Sequence, residues 1–173
     1  MLYFKYVVVA VLILLLLSFS LKFETIVQYG GHPYVLTDND ETMRRLVELR
    51  QKLQLVVDYA VRHNYPDTKK ATRLKKRWAG IVIGDLPQSD KDAAYILNGG
   101  QELRVCTSPA NDDNAMTYVG LHELAHLMTA RWLSHGTDFK QNFDALRQVA
   151  QDLTLYQYED YSSQRQNFCG TWL

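Results

Sequence analysis

The hydrophobic positions of this chain change period several times. From Tyr6 to Leu21 (YVVVAVLILLLLSFSL) they run together, broken only by Ser18 and Ser20 and carrying no charge. A helical membrane span takes roughly 20 such residues, with a range of about 17 to 25. The run predicts an N-terminal apolar helix within residues 1–21, serving as a single-pass transmembrane signal anchor. The short lead from Met1 to Lys5 and the small residues at its end also suit a cleaved signal peptide and a secreted protein, and a buried core helix is a third reading. Only Lys5 and Lys22 flank the run closely, so the positive-inside rule sets no orientation.

Beyond it, FETIVQY (Phe23 to Tyr29) reads as a short strand closed by Gly30 and Gly31. Met43, Leu46, Val47, Leu53, Val56, Val57, Ala60 and Val61 recur at spacings of three and four, which predicts a helix. It starts in TDNDE, where Asp38 and Glu41 have capping-box spacing, and ends near Asn64, ahead of Pro66. A shorter helix covers Asp67 to Trp78. AGIVIGDLP (Ala79 to Pro87) reads as a buried strand, and AAYILNGGQELRVC as a hairpin turning at Asn98, Gly99 and Gly100. In its second arm Leu103 and Val105 alternate with Glu102 and Arg104.

Three or four strands thus precede SPANDDNAMTYVGLHELAHLMTARWLSHG, a loop with candidate N-caps at Asn111 to Asn114 and a helix ending at Gly136. Asp138 can cap a last helix, DFKQNFDALRQVAQDLTLYQY, and Glu159 to Leu173 has no clear period. The fold class is α+β, with one domain over residues 22–173 after the 1–21 segment.

Composition supports a globular chain: 173 residues, 47% hydrophobic, with 19 basic and 19 acidic side chains. The basic residues cluster in KKATRLKKR, Lys69 to Arg77, and the remainder is net acidic. That stretch reads first as a solvated helix face, with anionic lipid or nucleic acid binding as the less favoured alternatives. Cys106 and Cys169 are too few for a disulfide scaffold and are not spaced as zinc ligands. They would pair in an oxidising compartment or stay small buried hydrophobes in a reducing one.

The chemistry concentrates in His122-Glu123-Leu124-Ala125-His126. On a helix, histidines four apart share a face about 6 Å along the axis, so both imidazoles can reach one cation. Leu121, Leu124, Ala125 and Met128 can turn to the core. Glu123, about 100° round from His122, suits a proton-transfer role better than a ligand role. A catalytic zinc takes a third protein ligand and leaves a place for water. His135 is the first choice, Asp138 the main rival and Glu159 a weaker one. His32 and His63 lack such a context and read as ordinary loop and helix-end residues.

HELAH followed by HGTDF resembles the WLM and SprT-like group of zincin metallopeptidases, in which a helical HExxH is completed by a histidine in a downstream HGxxF-type turn. The resemblance covers roughly residues 81–170 and its specific part is the metal motif. It implies zinc held by His122, His126 and His135, with Phe139 as the apolar anchor of the turn. It also implies a zincin-like arrangement: a small mixed sheet with a hairpin, packed on the active-site helix, and an edge strand able to hold an extended peptide.

The expected activity is zinc-dependent hydrolysis of peptide bonds in a protein substrate, with Glu123 as general base. Tyr156, Tyr158 and Tyr161 are candidate donors to the oxyanion, and spacing selects none of them. Family members that act on proteins crosslinked to DNA are nuclear or soluble, whereas this chain is expected to begin with a membrane or export segment. Two other classes stay open: a noncatalytic zinc-stabilised binding domain, and a basic, membrane-anchored interaction module.

Overall fold

In a computed structural model, which describes residues 24–36, 40–86, 92–131 and 134–173, the chain builds a mixed sheet and a layer of helices. Strands β1 (Thr25–Tyr29) and β2 (His32–Leu36) pair as an antiparallel hairpin. Helices α1 (Asp40–Arg62) and α2 (Thr68–Trp78) then lead to β3 (Val82–Asp85), which pairs with β2 in parallel. Parallel neighbours need such a long crossover. Strands β4 (Ala94–Leu97) and β5 (Glu102–Val105) form the expected hairpin, its turn carried by positive φ at Asn98, Gly99 and Gly100. β5 inserts beside β3, so the sheet runs β1-β2-β3-β5-β4 and β4 is an edge. Helices α3 (Asp113–Met128) and α4 (Thr137–Asp152) follow, then a small hairpin of β6 (Asn167–Phe168) and β7 (Thr171–Trp172). The fold is α+β.

Register explains how the sheet holds the helices. Tyr34, Ile83, Leu103 and Ile96 stand opposite one another across β2, β3, β5 and β4, and all four are buried in the core. That core is shared with Leu46, Leu49 and Leu53 of α1 and with Leu121, Leu124 and Leu127 of α3. On the other face Gly84 lies beneath Arg104: a Cβ there would stand 3.0 Å from Arg104 Cδ. Arg104 itself bridges Glu24 at 2.8 Å and Glu102, and donates to Asp85 O at 2.9 Å. Between helices, a Cβ on Gly120 would stand 2.9 Å from Leu49 Cδ1. The missing side chain lets α3 lie close on α1.

Several expectations need correction. β2 has no counterpart among the expected strands, because Pro33 breaks the strand-like pattern. The proline is accommodated near the strand's start, and the parallel pairing begins only at Tyr34. The tail without a clear period contains β6 and β7. The helix expected to reach Gly136 stops at Met128.

The single-pass membrane anchor, and with it the apolar N-terminal helix, is also corrected: among the described residues no helix is long and apolar enough to cross a membrane. α1 has the length, but it carries charges throughout, from Asp40 to Arg62. Residues 1–21, the start of the first expected strand at Phe23 and the capping residue Asp38 lie outside the described residues.

Cys106, just after β5, is joined to Cys169 between β6 and β7 by a disulfide, with 6.4 Å between the Cα atoms. The bond ties the C-terminal hairpin to the sheet. Closing a 63-residue separation restricts the unfolded chain by about 4 kcal/mol in the chain-entropy account. Replacing both cysteines with alanine should lower unfolding free energy by about that order, measured by urea denaturation under oxidising conditions. An unchanged midpoint and slope would show that the bond contributes nothing to stability.

Candidate metal centre

The start of α3 is set by its own sequence and by α1. Asp112 caps it, accepting from Ala115 N at 2.7 Å, and Gln166 of the tail donates to the other oxygen of the same carboxylate. From α1 the buried Arg45 donates to the carbonyls of Thr107, Ser108 and Asn111 and pairs with Asp113 at 3.0 Å. The loop entering the helix is therefore held at several carbonyls by one guanidinium.

The end of α3 is built differently. Carbonyls of a helix's last turn have no partner within the helix. Here two residues of the basic stretch supply it. Arg73 donates to Met128 O at 2.6 Å, and Arg77 to Leu127 O at 3.0 Å and Thr129 O at 2.8 Å. Cations at this end also meet the negative pole of the helix dipole. Thr129 turns the chain by bonding through Oγ1 to Ala125 O at 2.7 Å, and the fully buried Asn142 of α4 donates to Thr129 Oγ1 at 2.9 Å. Lys70 pairs with Asp138 at 2.9 Å. So Lys70, Arg73 and Arg77 are engaged with α3 and α4, while Lys69, Lys75 and Lys76 are exposed.

With α3 stopped at Met128, His135 comes back on the segment before α4. Its Nε2 lies 3.1 Å from His122 Nε2, which in turn lies 3.2 Å from His126 Nε2. One nitrogen from each of the three falls within 4.8 Å of the others. Phe139, in the first turn of α4, sets its ring against all three imidazoles, at centroid distances of 4.8 Å from His122, 4.4 Å from His126 and 4.7 Å from His135. Phe143, one turn on, adds a second contact to His122 at 5.4 Å. His126 is buried, His122 half-buried and His135 exposed, so the cluster opens on the side of His135.

The donor set fits zinc. Tetrahedral coordination with bonds of 2.0–2.1 Å places ligand nitrogens about 3.3 Å apart, close to the 3.1 and 3.2 Å found here. Burial, then the neighbouring His126 and His135, push the His122 imidazole down to about 3. It is thus neutral at ordinary pH, as a metal ligand must be. Glu123 is 6% exposed, and desolvation pushes its carboxyl up to about 8.

The rivals lie elsewhere. Asp138 is occupied by Lys70 and by Ala130 N, and Glu159 accepts from Asn114 Nδ2 at 2.9 Å near the start of α3. Nor does Asp138 cap α4, whose N-cap position is Gly136. Of the tyrosines, Tyr156 and Tyr161 are buried against Tyr118, with centroids at 6.1 and 4.6 Å, and Tyr158 is exposed beside Arg147. None is placed against the three histidines by a ring contact or hydrogen bond among the described residues. His63 bonds to Tyr59 O at the end of α1, and His32 opens β2. Residues that the sequence reading did not single out, Arg73, Arg77, Thr129, Asn142 and Phe143, provide much of the support. Only the basic run signalled any of them, and it pointed outward.

In comparisons with known proteins, no family model matches the chain and no solved structure matches it. It is similar to the uncharacterized protein R325 of Acanthamoeba polyphaga mimivirus, with 32% identity over 103 residues, covering 57% of this chain and 50% of that protein. The chain therefore spans about half the length of that relative.

Two outcomes follow from this geometry. His135→Ala should lose stoichiometric zinc while Asp138→Ala keeps it, as read by elemental analysis of purified protein; the reverse result would assign the third ligand to Asp138. Arg77→Ala should cost about 1.5–3 kcal/mol, the range for hydrogen bonds from charged groups, whereas the exposed Lys76→Ala should stay within about 0.5 kcal/mol. Equal effects in urea denaturation would remove Arg77 from its role at the end of α3.

Proposed function

We propose that the chain is a zinc-dependent metallopeptidase, a hydrolase of zincin type similar to the WLM and SprT-like group, acting on peptide bonds of a protein substrate. The observation that carries this reading is the meeting of three imidazole nitrogens from α3 and the following segment, backed by Phe139 and open on one side. Three protein ligands and an open position are the pattern of catalytic zinc, whereas structural zinc takes four.

His122, His126 and His135 would hold the ion, which when bound supplies a water of lowered pKa and polarises a carbonyl oxygen. The proton transfer falls to the protein. Glu123 follows His122 directly on α3, and among the described residues no hydrogen bond or ion pair commits its carboxylate elsewhere. It takes the water proton at a carboxylate oxygen and hands it to the leaving amine nitrogen. Its buried surroundings exclude competing solvent.

The edge of the sheet offers a place for the substrate. β4 pairs with β5 on one side only, and its hairpin reaches α3, where a Cβ on Gly100 would stand 3.1 Å from Leu127 Cδ2. An extended peptide adding to this edge would be held by backbone hydrogen bonds.

The deciding experiment pairs zinc content with cleavage of labelled casein by the wild type and by Glu123→Gln. The variant should retain one zinc per chain and lose turnover by about 10²-fold or more, the scale of general-base contributions. Cleavage by the variant at the wild-type rate would sink Glu123 as the base. A zinc-loaded wild type that cleaves nothing, yet unfolds when its metal is removed, would support the noncatalytic, zinc-stabilised binding domain instead.

A further inference from the structure

Arg50 of α1 is 4% exposed, and no acidic partner pairs with it among the described residues. Both of its Nη atoms donate to the one carbonyl of Ile81, at 3.1 Å each, which anchors α1 to the start of β3. Its Nε has no hydrogen-bond partner. The rings of Tyr34 and Trp78 flank the guanidinium at 5.5 and 5.6 Å. They offset part of the charge, but a ring does not replace an anion at the guanidinium edge. Arginine cannot shed its proton under ordinary conditions, so a buried guanidinium without a counterion is costly. Desolvation lowers the pKa of Arg50, and desolvation together with the Arg50 cation lowers that of His32.

This cation lines a hollow of about 510 Å³ between the β1–β2 turn and α1, where Tyr29, Tyr34, Val47 and Leu55 present apolar surface beside Gln51. The volume falls within the range of small-molecule sites, roughly 300–1,000 Å³. A smaller adjoining hollow of about 260 Å³ also reaches Arg50, but Asp58 and Lys75 both line it and their charges balance. The larger one has a cation and, among the described residues, no carboxylate in its lining. It shares no residue with the histidine cluster.

We propose that the hollow between the β1–β2 turn and α1 is a binding site for a small apolar monocarboxylate, whose carboxylate sits on Arg50 and whose body lies against Tyr29, Val47 and Leu55. The planar guanidinium edge matches a carboxylate in two parallel hydrogen bonds. With Arg50 as the one full cation of the lining, beside the neutral polar groups of His32, Gln51 and Gln54, the hollow suits a monoanion better than a phosphate, which would bring more charge than Arg50 can neutralise. The site does not depend on zinc or on peptidase activity.

The test is an NMR titration of the full-length protein with 4-phenylbutyrate and with its neutral amide, 4-phenylbutyramide. The Arg50 Nε–H and Trp78 Nε1–H signals are followed, so that a carboxylate binding at the histidines is told apart. The acid should shift the Arg50 signal saturably, and the amide should bind at least tenfold more weakly. Leu55→Glu should weaken the acid at least tenfold by placing a negative charge at the rim; Leu55 is 52% exposed, so this variant is expected to fold. No saturable shift, acid and amide binding within twofold of each other, or acid binding unchanged in Leu55→Glu would each overturn the proposal. So would inorganic phosphate binding the same signal more tightly than 4-phenylbutyrate.

Discussion

The carbonyl groups at the end of α3 must find donors, and the way they do so decides where the third histidine can stand. Had the helix continued to Gly136, residues 129–135 would have carried His135 roughly 10 Å along the axis from Met128, at 1.5 Å per residue. Arg73 and Arg77 close the last turn at Met128, and Thr129, held by Asn142, redirects the chain. Only then does the following segment fold back over His122 and His126. The meeting of the three imidazoles is thus a consequence of helix termination, to which two arginines on another helix contribute.

Buried arginines recur as the means by which this small domain fixes its loops. Arg45 gathers carbonyls at the entrance to α3, Arg50 joins α1 to the start of β3, and Arg104 covers the outer face of the sheet above Gly84. Each donates to backbone oxygens far away in sequence. The difference lies in the counterion. Arg45 pairs with Asp113 and Arg104 with Glu24 and Glu102, while Arg50 has aromatic rings in that place.

Local signals in the sequence were informative where the structure is local. The Asn98 to Gly100 turn, the period of α1 and the pairing of His122, His126 and His135 with Phe139 could all be read from spacing or motif. β2 could not, since Pro33 disrupts a strand pattern and the parallel partner Ile83 is supplied by distant sequence. The basic run misled for a related reason. Composition cannot distinguish a lysine facing water from an arginine facing the carbonyls of another helix, and Lys69 to Arg77 contains both. The glycine at 136 likewise carried the expected end of α3 past Met128, because groups that close its last turn come from α2. The disulfide depended on a tail whose period gives no sign of β6 and β7.

The three histidines lie between positions 122 and 135 of a chain whose sheet is assembled from strands far apart in sequence. A metal that prefers such closely spaced imidazoles finds many of the same nitrogens in the unfolded chain, where they remain within easy reach. Binding to both states cancels part of the linkage between metal and folding. The ion's affinity would then overstate its contribution to stability: it would be captured early, before the sheet exists, and would restrain the histidine segment more than it restrains the fold.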